Sequence, residues 1–254
     1  MPALSRFLRH NEALMDGTSV DEVWYTLVQS MAEYGFDRVL YGVTHSRTGT
    51  FLGQSDDFLV LSNHPSDYLD AFIRTGAYVD APMVKWAIDN VGVASWRHIQ
   101  DRARAGDLSE AELRVIELNQ RHGLIAGYSI SFRNATVRTK GAIGLCAHKC
   151  SQDHVDSIWT SYGREIEMLC RLAHLKLTSL PSPAPSRPLT PRQREVLEWV
   201  GVGKTTQDIA LLMGVTNATV EKHLRLAREA LSVETTAQAV LKASVHNQIF
   251  LSGS

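Results

Sequence analysis

At 254 residues, 44% hydrophobic and 21% charged, the chain has the composition of an ordinary soluble globular protein, long enough for two domains and too short to fill three. No stretch approaches the roughly 20 apolar residues that span a bilayer, and the opening MPALSRFLRHNEALMDG carries charges where a secretory signal needs an apolar core, so a cytoplasmic protein without membrane contact is expected. The net charge of −1 conceals a mildly basic tail: residues 187–254 hold 8 Lys+Arg against 6 Asp+Glu, and the remainder holds 18 against 21.

Helical and strand-like segments alternate through the first two thirds. An amphipathic helix is predicted over 20–34, strands at RVLYGVT (38–44) and FLVLS (58–62), and helices over 66–73 and 82–90. A helix over 109–122 follows with Ser109 as its N-cap, then strands over 127–132 and 142–147, then a long helix over 155–178. The connection between the last two strands is too short for a helical crossover, so that pair is antiparallel. The long helix is suited to packing against a partner subunit, and a homodimer is expected. Three cysteines, Cys146, Cys150 and Cys170, are an odd, scattered number that makes no disulfide framework, and CAHKC has too few neighbouring ligands for zinc. Neither a metal nor a cofactor is expected. His122, His148, His154 and His174 lie on separate elements without a pairing such as HExxH and read as surface or capping residues.

The run SLPSPAPSRP (179–188) repeats proline among small residues, which neither helix nor sheet accommodates, and reads as a linker between domains at 1–178 and 189–254. Beyond it, Val196, Leu197 and Val200, then Ile209, Ala210, Leu212 and Met213, then Val220, Leu224, Ala227 and Leu231 form three clusters at helical spacing. Thr190 and Pro191 open the first helix and Gly203 closes it; Thr205 or Thr206 opens the second, and Gly214-Val215-Thr216 makes a tight turn before the third. A fourth helix over 236–246 offers Ala239, Val240 and Ala243 as a narrow stripe for a symmetric helix pair. The fold expected for the whole is α/β: an α-β-α sandwich with a mainly antiparallel central sheet as the first domain, joined to an all-α helix-turn-helix domain.

The third helix gathers Thr216, Asn217, Thr219, Lys222, Arg225 and Arg228 opposite its apolar face. Arginine suits bidentate contact with guanine edges, while Lys204, Thr205, Thr206 and amides at helix starts suit phosphate oxygens. Glu221 on the same face reads as a solvated charge. The segments LTPRQREVLEW, VGKTTQDIALLMGV and TNATVEKHLRLAREAL resemble the helix-turn-helix of LuxR-type regulators over the entire C-terminal domain. That resemblance implies a double-stranded DNA operator as partner. Gln193, Ala230 and Thr236 stand where that pattern usually has an acidic residue, a basic residue and an arginine.

The segment HPSDYLDAFIRTGAYVDAPMVKWAIDNVGVASWRHI, with HGLIAGYSISF and GAIGLCA, resembles the autoinducer-binding domain of quorum-sensing LuxR-type regulators over most of residues 20–177. The resemblance implies a small-molecule ligand, an N-acyl-homoserine lactone or a related compound. It puts Tyr68 where a tryptophan usually donates to the lactone carbonyl, Phe72 on a tyrosine, and Trp96 on a tryptophan. The family's aspartate, acceptor for the ligand amide, falls on Ala81, with Asp80 one residue away as a replacement. Leu40, Gly42, His64, Val84, Ser129 and Gly144 complete the ligand site that it implies, whereas Trp86 reads as core. A non-lactone ligand, or none, is the alternative within this family.

An enzyme would need a nucleophile with its base or a phosphate-cradling loop. GVGKTT lacks the leading glycine of GxxxxGK[ST], and neither GxSxG nor GxGxxG occurs, so no enzymatic activity is expected.

Overall fold

The computed structural model describes residues 2–44, 58–133, 139–181 and 188–250. The chain divides into two compact units, Met1–Leu177 and Thr178–Ser254. Residues 182–187 of the proline-rich run lie outside the described residues.

In the first unit, β1 (Arg38–Thr44), β2 (Phe58–Ser62), β3 (Gly92–Ser95), β4 (Gly127–Ser131) and β5 (Lys140–Cys146) form one sheet in the order β2-β1-β5-β4-β3. Every neighbouring pair is antiparallel. β5 starts two residues before the predicted strand because it pairs along its whole length with β1, from Lys140 opposite Thr44 to Cys146 opposite Arg38. The period of two gives the sheet two unlike faces. Val39, Tyr41 and Val43, Ile143 and Leu145, and Tyr128 and Ile130 are buried and share one face. There α2 (Val20–Glu33) and α7 (Gln152–Ser179) pack: Tyr128 stacks on Trp159 with ring centroids 4.0 Å apart. The Tyr41 hydroxyl hydrogen-bonds with His174 Nδ1 at 2.9 Å. His174 is thus a core residue rather than a surface one, clamped between that hydroxyl and the stacked ring of Phe132.

The opposite face carries small residues on its central rungs. Leu40, Gly144 and Ser129 lie side by side on three strands, and Gly42, Ala142 and Ser131 form the next rung. Over this face lie α3 (Ser66–Leu69), α4 (Pro82–Asp89), α5 (Arg97–Ala105) and α6 (Glu110–Arg121), whose apolar residues cluster around Tyr68, Phe72, Trp96, Ile99 and Val115. Ser109 and Glu112 form a reciprocal capping box at the start of α6. The predicted helix over 66–73 is not uniform: after Leu69 it widens into a π turn, Asp70–Arg74, closed by the Thr75 amide donating to the Asp70 carbonyl at 3.2 Å.

Two α-helices and one strand escaped the sequence reading. α1 (Pro2–Asp16) packs on α2, with His10 hydrogen-bonded between Ser30 and Glu33, each at 3.0 Å. α5 buries only Ile99 and has no side-chain cap, and β3 is a four-residue edge strand without a fully buried side chain.

The second unit consists of α8 (Pro191–Gly201), α9 (Thr206–Met213), α10 (Asn217–Leu231) and α11 (Thr236–Val245). Thr190, Thr205, Thr216 and Thr235 cap them, each accepting from a backbone amide three residues on. Gly214 takes the left-handed conformation, φ +65°, that turns α9 into α10. Val196, Leu197, Ile209, Val220, Leu224, Ala227 and Leu231 make the core. Ala239 and Ala243 belong to that core as well and are fully buried. The stripe read as a face for a symmetric helix pair is therefore consumed within its own domain, because α11 packs against both α8 and α10. Among the described residues, no helix is long and apolar enough to cross a membrane.

Candidate ligand cavity and nucleic-acid face

The small-residue face of the sheet and the helices above it enclose a cavity of about 160 Å³. Leu40, Gly42, Ala142, Gly144 and Ser129 form its floor; Val84 on α4, with Met83, closes one side, and Phe58 and Val60 of β2 another. One wall is a column of rings. His64 stacks on Tyr68 with centroids 5.0 Å apart and Tyr68 on Phe72 at 5.3 Å, their planes 26° and 13° apart. The i,i+4 spacing of Tyr68 and Phe72 across the widened turn brings the two rings face to face.

Polar groups are few. Trp96 Nε1 donates to Ser129 Oγ at 2.9 Å, and Tyr68 Oη donates to Asn119 Oδ1 at 2.9 Å. His64 Nδ1 is bonded with Ser62 Oγ at 2.8 Å. Burial pushes the His64 imidazole down to about 4, Arg38 adding to the effect, so the ring is neutral at pH 7. Burial likewise raises the Tyr68 phenol and pushes the Cys146 thiol up to about 12. Both stay protonated, which leaves Cys146 an unreactive part of the wall.

Of the residues that the sequence reading assigned to a ligand, nine line this cavity: Leu40, Gly42, His64, Tyr68, Phe72, Val84, Trp96, Ser129 and Gly144. Asp80 does not. It ends a short 3-10 turn, Ala77–Asp80, with a side chain 47% exposed and paired with Lys85 Nζ at 3.5 Å. The next residue, Ala81, is extended (φ −69°, ψ 120°) and fully buried. The chain leaves the 3-10 turn at Ala81, whose side chain is buried, while the Asp80 side chain stays on the outer side of the turn against Lys85. Trp86 is half-buried beside His98 and is not among the lining residues. The sequence reading missed Asn119, Tyr78, Thr44 and Lys140, which also line the cavity. For Asn119 a clue was available: it lies four residues after Val115 on the buried stripe of α6, where an amide has to find a polar partner.

In the second unit, Asn217, Lys222 and Arg225 are exposed along one face of α10, beginning at the cap residue Thr216. Thr219 is half-buried, its hydroxyl bonded to that of Thr216 at 2.9 Å. Lys204 and Thr205 are exposed at the start of α9, where two hydrogen bonds from Thr205 hold the Asp208 carboxyl below its usual range. Thr206 donates to Glu221 at 3.1 Å, so Glu221 ties α9 to α10 as well as facing solvent. Arg225 is paired with Glu229 one turn on. Arg228 is set apart from the others: its guanidinium donates to Thr236 Oγ1 at 2.9 Å, bridging α10 to α11.

Comparison with known proteins agrees with both halves. Residues 19–177 match the autoinducer binding domain, and residues 187–243 match the bacterial regulatory proteins of the luxR family. The chain is 24% identical over 224 residues to the transcriptional activator protein ExpR of Dickeya dadantii, covering 84% of this chain and 85% of that one. It is 28% identical over 188 residues to the quorum sensing-dependent transcriptional regulator RpaR of Rhodopseudomonas palustris, 73% of each chain. The fold is that of Escherichia coli SdiA, with a TM-score of 0.55 at 18% identity over 98% of this chain and 97% of that chain. SdiA in complex with octanoyl-rac-glycerol gives 0.57 at 15% identity over 99% of both chains. With an autoinducer binding domain ahead of its helix-turn-helix, the chain belongs to the luxR family of bacterial regulatory proteins and is a ligand-responsive, DNA-binding transcription regulator.

Proposed function

We propose that the cavity takes a small acyl compound, an N-acyl-homoserine lactone or a relative of it, and that the protein reports its concentration to DNA in quorum sensing. The observation that carries this reading is the cavity itself: apolar walls for a chain, with the Trp96–Ser129 and Tyr68–Asn119 pairs among the few polar groups in its lining. RpaR is named as quorum sensing-dependent, which supports the same role here. Binding orders the sensor domain, and a homodimer presents two copies of α10 to a two-fold symmetric operator, Lys222 and Arg225 at the bases and Lys204, Thr205 and Thr206 at phosphates. The protein works in the cytoplasm and carries no catalytic function.

The test is thermal unfolding of the purified protein against acyl-homoserine lactones of graded chain length, alongside an organic extract of the native culture. A rise of several degrees with one lactone, together with altered DNA binding, supports the lactone. A response to the extract alone points to another small molecule, and the outward position of Asp80 favours that second reading. No response from a stable DNA-binding protein ends both.

A further inference from the structure

Two polar pairs in the cavity wall supply donors. Tyr68 and Trp96 each have a single N–H or O–H, and both are spent within the wall, on Asn119 Oδ1 and Ser129 Oγ. What these pairings leave over is the Asn119 amide nitrogen, with two N–H groups, and the Ser129 hydroxyl proton; neither meets an acceptor among the described residues. Both residues are at least nine-tenths buried and line the cavity. Buried donors of this kind call for an acceptor from the ligand.

Acceptors are scarcer. Among the described lining residues there is no aspartate or glutamate. Asp80 pairs with Lys85 outside, and Glu112 is held by Ser109, Lys85 and Arg102. A ligand amide N–H would meet no carboxylate among the described lining residues, only neutral acceptors such as the hydroxyls of Tyr68, Ser129, Thr44 and Tyr78 and the ring of His64.

We propose that this site selects a ligand whose polar head is joined to its acyl chain without an N–H, an ester or ketone rather than an amide, because Asn119 presents its spare amide N–H groups to the ligand where a carboxylate would present an acceptor. The inference rests on the acyl-ligand reading above and narrows it. An ester offers two acceptor oxygens and no donor, so it buries no N–H against these walls. An amide of the same shape buries an N–H opposite poor acceptors, which weakens binding about tenfold or more.

Matched pairs decide the matter: N-acyl-homoserine lactones against the O-acyl esters of α-hydroxy-γ-butyrolactone, C6 to C12, which differ only in NH against O. Affinities are read by thermal shift and calorimetry on the full chain. The ester is expected to bind about tenfold more tightly than the amide. Asn119→Asp keeps the bond from Tyr68 but exchanges the donor for a carboxylate acceptor, and it is expected to reverse the preference; Asn119→Leu removes a donor from the carbonyl that both series carry and is expected to weaken both. An amide preference in the unaltered protein, or an ester-to-amide ratio unmoved by Asn119→Asp, overturns this selectivity while the acyl-ligand reading stands. Binding of neither series at any length overturns both.

Discussion

The indole of Trp96 gives its one N–H to the hydroxyl of Ser129, 2.9 Å away, at the edge of the sheet where β3 meets β4. Both residues are buried. Removing the acceptor leaves the indole N–H without its partner in the cavity wall, at a cost of about 1–3 kcal/mol. Ser129→Ala is therefore expected to lower the calorimetric melting temperature of the sensor domain by several degrees, while Ser129→Thr, which keeps the oxygen, preserves most of it. Equal melting temperatures for Ser129→Ala and the unaltered protein would show that the bond contributes nothing to stability.

Two glycines of the same sheet should respond in opposite ways. A Cβ at Gly144 meets only the Leu40 carbonyl and the Trp96 ring, both at 3.9 Å, an ordinary contact. A Cβ at Gly127 falls 2.3 Å from the Leu145 carbonyl oxygen, a backbone atom of the paired strand. Gly144→Ala is expected to fold with stability within about 1 kcal/mol of the parent and to bind long-chain ligands less well. Gly127→Ala is expected to be severely destabilised, visible as loss of soluble protein or of the cooperative melting transition.

His64 makes the sensor domain sensitive to mild acid. Above pH 6.5 the ring is neutral whether folded or unfolded. Between pH 6.5 and about 4 the unfolded chain takes a proton that the buried ring refuses, so stability falls through that window, by an amount on the order of 2 kcal/mol. His64→Gln removes the proton and the effect. Urea unfolding at pH 7.5 and pH 5 should show a smaller drop for this variant; the same drop in both proteins would assign the acid sensitivity to other groups.

On α10, neighbouring arginines have separable roles. Arg225 is exposed and, among the described residues, is paired with Glu229 on its own helix, so Arg225→Ala is expected to weaken binding to duplex DNA with little change in melting. Lys222→Ala should do likewise and reduce the slope of log affinity against log salt by about 1. Arg228→Ala breaks the bridge to Thr236 and is expected to lower the stability of the DNA-binding domain. Retention of full stability by Arg228→Ala would free Arg228 to be counted with the DNA-facing residues.

The helix-turn-helix was legible almost to the residue, because each helix announces its own start: Thr190 before Pro191, Thr205 before Asp208, Thr216 before Thr219. The strands RVLYGVT and FLVLS were equally plain, being β-rich runs that pair with each other. α5 left no such trace, since nine residues with one buried side chain have no apolar stripe. Asp80 and Asn119 mark the limit of reading a site along the chain. Which of two adjacent residues faces inward depends on the backbone at Ala81, and which amide meets Tyr68 depends on a helix 51 residues away.

The sheet also acts as a partition between two kinds of change. On one side, Tyr128 against Trp159 and Tyr41 against His174 leave no room for alteration. On the other, the cavity floor is made by side chains that are missing: a methyl at Gly42 would touch nothing within 4 Å, and one at Gly144 only just reaches its neighbours. Such a floor can be raised a carbon at a time by single substitutions without disturbing the packing beneath it. Descendants of this sequence can therefore be retuned to shorter or longer ligands while their folding is inherited unchanged.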